Sequence, residues 1–284
     1  GLFARVFGLG EWDYYHDEIW HVYVSLQSTL ADVFYANLTE DGHPILGYFL
    51  WHWLLNIWND PWMARLPSIV AGTLCIPAGY FLGKEMFQSR NGGLFAAFFM
   101  AFSCIAIEQS NVVRGYMLAL FFCMVALWST YLYQRTYQLI FVLLYFLATS
   151  LALLSEFAAT PVVAFTALHL LFAIIKNTSN RFALLSIWAL IHSIWLLYLL
   201  YFTSLLKNIG GVDFAQSHAF FGRYTDTPLM VLSKVVVFFL EYINVAGFFW
   251  FLGGAINSEL IVVGSLLCLL VFSLVGLVVL CRSK

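Results

Sequence analysis

The chain has 284 residues, of which 62% are hydrophobic, 19% aromatic and only 10% charged, with a mean hydropathy of +0.87. A soluble domain carries about 25% charged residues, so this composition argues against a water-soluble fold and predicts an all-α polytopic integral membrane protein. The net charge of −2 gives no basis for binding nucleic acid.

In chain order, "GLFARVFGLG" (1–10) reads as the end of a truncated first spanning helix, and the chain is expected to be a fragment that also lacks a C-terminal portion. Residues 11–65 read as a first outer loop: 11–60 hold eight of the fifteen acids and no Lys or Arg. Within it, "HPILGYFLWHWLLNIW" (43–58) has three Trp and two His in sixteen residues. Trp favours the headgroup level, which predicts a helix lying in the interface rather than crossing.

Residues 66–205 contain six apolar runs read as crossings: 66–83, 92–107, 115–133, 138–154, 157–175 and 182–205. The loops with Lys84 and Arg90, with Arg135, and with Lys176 and Arg181 alternate with the mainly acidic segments "EQSNVVR" (108–114) and Ser155-Glu156. The positive-inside rule assigns the basic set to the cytoplasmic face. Residues 206–256 then form an outer loop (206–227) and an interfacial or re-entrant segment (229–252), and 257–281 is the last crossing. The expected architecture is a single transmembrane domain of seven to eight crossings with its polar chemistry on the outer face.

Cys75, Cys104, Cys123 and Cys268 fall inside apolar runs, Cys281 ends one, and none forms a CxxC pair, so all read as small buried hydrophobes. His169 and His192 lie mid-run and read as neutral residues bonded to neighbouring helices. The sequons at Asn37 and Asn177 carry no weight as chance matches. The mid-depth charges and paired broken helices that mark a transporter are missing from these runs.

The first polar cluster is "HDEIWH" (16–21). A zinc helix needs histidines at i and i+4, whereas His16 and His21 are five apart and diverge by about 140° around a helix. No metal is therefore expected from them, although a divalent ion elsewhere stays open. Asp17 and Glu18 are candidate catalytic carboxylates at a hydrocarbon boundary, able to act as a base or hold a cation, or else solvated loop acids. "EDGHP" adds the second acidic pair Glu40 and Asp41, then His43 and Pro44 at the start of the 43–58 helix, where an N-terminus suits an anion such as phosphate. Arg114, followed by Gly115 and Tyr116, sits at the outer end of a run and either snorkels to water or pairs with an anion. Glu156, at a break on the same face, is either a substrate contact or a turn residue.

The stretches "RVFGLGEWDYYHDEIWHVY", "EDGHPILGYFLWHWLLNIW", "ARLPSIVAGTLCIPAGYFLGKEMF" and "EQSNVVRGYMLALFFCMVALWSTYLY" resemble the membrane-embedded GT-C glycosyltransferases. The branch they are most similar to contains protein O-mannosyltransferases and the bacterial aminoarabinose and dolichyl-phosphate-mannose-type transferases. The resemblance covers about residues 4–135 and rests on the order of an Asp-Glu, a His-Pro, "RLPS" and an Arg-x-Tyr. It implies an outer-loop acid at Asp17 that serves as base or aligns the acceptor, with Glu18 beside it. It also implies His43-Pro44 near the phosphate of a lipid-linked donor, and Arg114 and Tyr116 at the active-site end of a membrane helix. The mobile outer loop would be 206–227, with Lys207, His218 and Arg223. This sequence has "HPI" where the family often shows two prolines, and a histidine where some members have lysine.

The expected function is transfer of a sugar from a polyprenyl-phosphate carrier to an acceptor lipid, glycan or protein, with no organic cofactor. The expected location is a bacterial inner membrane, with the site facing outward. The alternative is a non-catalytic subunit of GT-C-like fold that packs with other membrane subunits.

Overall fold

The computed structural model describes the backbone of residues 1–6, 14, 16–176 and 181–217, and the side chains among them up to residue 201 except those of 16, 17 and 41. The chain divides into two units, 1–102 with 106–212 and 103–105 with 213–284, and the described helices belong almost entirely to the first. The segments read as 229–252 and 257–281, and the loop residues His218 and Arg223, lie outside the described residues.

Every described regular element is helical: α1 (Leu2–Val6), α2 (His16–Ser25), α3 (Leu30–Ala36), a π-turn (Asn37–Asp41), α4 (Ile45–Ile57), α5 (Pro61–Phe87), α6 (Arg90–Phe102), α7 (Cys104–Ser110), α8 (Tyr116–Thr136), α9 (Leu139–Ser155), a 3₁₀ turn (Phe157–Ala159), α10 (Thr160–Lys176) and α11 (Arg181–Ser217). Among the described residues, four helical stretches are long and apolar enough to cross a membrane: 61–87, 116–136, 157–176 and 181–201. α6 and α7, bent by 55° at their break, make a fifth if counted as one span. The protein is therefore an integral membrane protein, helical throughout the regular elements of its described residues. At 17 and 13 residues, α9 and α4 are shorter; at 1.5 Å per residue α4 is about 20 Å long, short of a hydrocarbon core of about 30 Å.

Boundaries differ from the sequence reading in three places. α5 begins at Pro61 rather than at 66, so Arg65 lies inside the helix. Its start follows from local chemistry: the Asp60 carboxylate accepts the Trp62 N–H at 3.1 Å as an N-cap, and Pro61 sits in the first turn, where its missing N–H costs nothing. The run 92–107 is broken between α6 and α7. The third difference is α11, whose backbone stays helical to Ser217, through the first part of what was read as a loop.

The α6–α7 break exposes carbonyls that lipid cannot satisfy, and Arg5 answers that need. Wholly buried on α1, it donates to Met100 O at 2.8 Å, Ala101 O at 3.5 Å, Gly1 O at 3.0 Å and Ser110 Oγ at 3.1 Å. A cation at a helix C-terminus also meets the negative end of its dipole.

α5 packs against α6 and α8, and α8 against α9. The α5–α6 contact is close because Gly83 faces Gly92: a Cβ on Gly83 would approach Gly92 O at 2.8 Å. Small residues allow such approach where apolar burial gives helices in lipid no driving force. His169 bonds Thr130 Oγ1 at 2.8 Å and Gln134 Oε1 at 3.3 Å, and His192 bonds Tyr145 OH at 3.1 Å. These are the cross-helix roles expected of both histidines.

The short helices α2, α3 and α4 have a core of their own. Val22 and Val24 of α2, Val33 and Ala36 of α3, and Tyr48, Trp51 and Leu55 of α4 pack with Ala64 of α5 and Val113. Thr29 caps α3 in a reciprocal pair with Asp32, and His52 Nδ1 ties α4 to Ser25 O of α2 at 2.8 Å. This small cluster seats α2 and α4 on the start of α5 and on the turn before α8.

Candidate functional site

Glu18, in the first turn of α2, is completely buried. Arg65 of α5 grips its carboxylate with two bonds, Nε to Oε1 at 3.2 Å and Nη2 to Oε2 at 2.9 Å. The Val113 N–H donates to Oε1 at 2.8 Å. The guanidinium also lies 5.8 Å from the ring centre of Tyr14. Burial raises the Tyr14 phenol pKa, Arg65 opposes that shift, and Glu18 and Asp60 add to it, so the group stays a neutral phenol.

Three residues after Arg65, and so on the same helical face, Ser68 directs its hydroxyl to Val112 O at 2.7 Å and Arg114 O at 3.1 Å. The turn closes on itself through Arg114 N–H to Val112 O at 2.9 Å. Its side chain then reaches α4's approach segment: Arg114 Nη1 lies 3.0 Å from His43 Nε2. A guanidinium has donors only, so His43 Nε2 must accept, and the ring's N–H is on Nδ1.

His43 is held by a second residue. The Asn37 amide takes its N–H at 3.2 Å and donates to its carbonyl at 2.8 Å. Asn37 is fully buried, which removes it as a glycan acceptor in the folded protein. The π-turn that follows closes at Gly42 with φ 70°, a conformation that glycine adopts without strain. His21, one turn after Glu18 on α2, is buried against Tyr48, with Nε2 3.0 Å from the phenol oxygen and the two rings stacked. Its ring centre lies 5.2 Å from that of His43.

Gly115 brings the last group in. A Cβ there would strike the carbonyl oxygen of Ser155, so the 114–116 segment lies directly on the α9 C-terminus and next to Glu156. Gly115→Ala should therefore displace this turn and lower the unfolding midpoint of the purified protein by the equivalent of about 1–3 kcal/mol. An unchanged midpoint would show that the close approach is not needed.

Of the residues singled out from sequence, Glu18, His43 and Arg114 thus converge, with Tyr116 opening α8 and Glu156 nearby. Glu156 is mostly buried, and its carboxylate caps the 3₁₀ turn by accepting the Phe157 N–H at 3.1 Å. Glu40 is exposed on the π-turn, three residues before His43. Asp17 adjoins Glu18 in α2, but its side chain and that of Asp41 lie outside the described ones, as does that of Lys207. Among the described residues no group of three or more His, Cys, Asp or Glu comes together. Arg65, Ser68, Tyr14, Asn37 and Tyr48 join the site only through the fold. Only the first two carry a legible signal, an Arg and a Ser three apart near the start of an apolar helix.

No family model, curated protein or solved structure matches this chain.

Proposed function

We propose that this protein is a GT-C-like glycosyltransferase that moves a sugar from a polyprenyl-phosphate donor to an acceptor at the outer face of a bacterial inner membrane. The observation that carries this reading is the Arg114–His43 contact of 3.0 Å beside the start of α4. It anchors the Arg114 guanidinium, whose other N–H groups are donors, near a helix N-terminus, an arrangement suited to an oxyanion. In the proposed reaction the acceptor hydroxyl oxygen attacks the anomeric carbon as the bond to the donor phosphate breaks. Asp17 takes the hydroxyl proton, and Arg114 stabilises the released phosphate, where fixed cations help most. The seven-to-eight-crossing topology, with α4 in the outer interface and the basic loops inside, belongs to the same reading, and the shortness of α4 supports it.

The second reading is a non-catalytic subunit of the same fold. What favours it is Glu18: one of the two candidate catalytic acids has both carboxylate oxygens engaged by the protein itself. A transfer assay separates the two. Purified protein in lipid nanodiscs is given undecaprenyl- and dolichyl-phosphate sugars with an extract of acceptor lipids and glycans. Sugar transfer that is lost in Arg114→Ala supports the enzyme. No transfer from any donor, together with stoichiometric co-purification of other membrane proteins, supports the subunit.

A further inference from the structure

One face of the first turns of α5, together with one acid of α2, handles the backbone of a single three-residue turn. Ser68 bonds the carbonyls of Val112 and Arg114. Glu18, oriented by the two bonds from Arg65, bonds the intervening Val113 N–H. Ser68 and Glu18 are both completely buried, as are the Val113 side chain beneath the turn and Ala64 next to it. Two peptide groups of the turn, 112–113 and 114–115, are thereby fixed by partners that are distant in sequence, Ser68 by 44 and 46 residues and Glu18 by 95.

A buried network of this kind costs a great deal to desolvate and contributes uncertainly to stability. What it does supply is geometric restraint. Only one side chain of the turn leaves it to meet the candidate site, that of Arg114. Val112 and Val113 carry no polar side-chain group, and Gly115 has none.

We infer that Arg65, Ser68 and Glu18 form a clamp whose work is to position Arg114, so that Glu18 is a positioning residue and not a second catalytic acid. The "RLPS" turn of α5 acquires a purpose from this. Arg65 and Ser68 fall three apart on one helical face because one must hold the carboxylate and the other the two carbonyls of the same turn. Pro67 between them has no N–H that could compete for either. The clamp deepens the proposed transferase reading, since it matters for function only if Arg114 binds the donor phosphate, but its geometry can be tested apart from that reading.

Two measurements on the full chain in nanodiscs test it. The first is amide hydrogen exchange at 112–115. Ser68→Ala removes only a hydroxyl and should fold, and it should speed exchange of the Val113 and Arg114 amides by about tenfold, the order expected from losing one buried hydrogen bond. Glu18→Gln should act in the same direction. Wild-type exchange rates in Ser68→Ala would overturn the clamp, whether or not Glu18→Gln folds.

The second is a double-mutant cycle on the affinity for farnesyl phosphate, a short polyprenyl-phosphate probe. Ser68→Ala should weaken binding about tenfold in the wild-type background and not at all in the Arg114→Ala background, because the serine acts through the arginine. Equal, additive losses in both backgrounds would overturn positioning of Arg114. If wild-type protein binds no farnesyl phosphate while exchange at 112–115 responds as expected, the donor reading fails and the clamp stands.

Discussion

Asp17→Asn is expected to abolish sugar transfer while leaving the protein folded and inserted. Asn has the size of Asp and keeps a polar group in the first turn of α2. What it loses is the negative charge that favours a helix N-terminus, worth about 0.3–1 kcal/mol. It also cannot accept a proton, and a general base contributes about 10²- to 10⁴-fold to rate. The expected pattern is a rate loss of that size with an unfolding midpoint close to wild type. Transfer within a few-fold of wild type would remove Asp17 as the base. The comparison with its neighbour is informative, because Glu18 faces the protein interior and should show the reverse emphasis. Glu18→Gln should lower the unfolding midpoint, and any effect on transfer should depend on Arg114.

The membrane character and most helices were legible in the composition because apolar runs in lipid report length and little else. The start of α5 was not, and the reason is specific. A charge such as Arg65 usually ends a spanning segment, yet a charge inside a helix is tolerated once it is paired. The partner of Arg65 lies 47 residues earlier, a distance at which no periodicity operates. The break between α6 and α7 was hidden likewise, because its orphaned carbonyls are capped by Arg5, about 95 residues before them.

The candidate site was legible at its charged members and illegible at its scaffold. Glu18, His43 and Arg114 are conspicuous in an acid- and base-poor chain, and they do converge. Ser68, Asn37 and Tyr48 are ordinary residues whose importance comes from which backbone or ring they meet. Asn37 shows the point most clearly: in sequence it is the first residue of a sequon, and in the fold its amide spans the His43 peptide on both sides. The histidines of "HDEIWH" divide the same way. Spacing removed the zinc reading, but only the fold shows His21 stacked on Tyr48 within ring distance of His43.

Arg65→Met is expected to be the most destabilising single change in the described site. It removes two of the three donors described for a carboxylate that has no exposure to solvent, leaving the Val113 N–H, and breaking one side of such a buried pair costs about 3–5 kcal/mol. Arg65→Lys should recover only part of this, because an ammonium cannot make the two parallel bonds of the guanidinium. The second change that separates charge from packing is the double variant Glu18→Leu with Arg65→Met. Apolar replacement of a buried pair is often neutral or stabilising, so the double variant should regain much of the midpoint lost by Arg65→Met alone. It would still lack the acceptor for the Val113 N–H, and that orphaned donor should cost about 1–3 kcal/mol. Denaturant unfolding in detergent reads all three variants. A double variant no more stable than Arg65→Met would mean that the cost arises from packing around Arg65 and Tyr14 rather than from an unpaired charge. Recovery of stability without recovery of Arg114-dependent farnesyl phosphate binding would locate the value of the pair in geometry: the membrane protein keeps a costly buried charge pair because nothing apolar can hold the turn that carries Arg114.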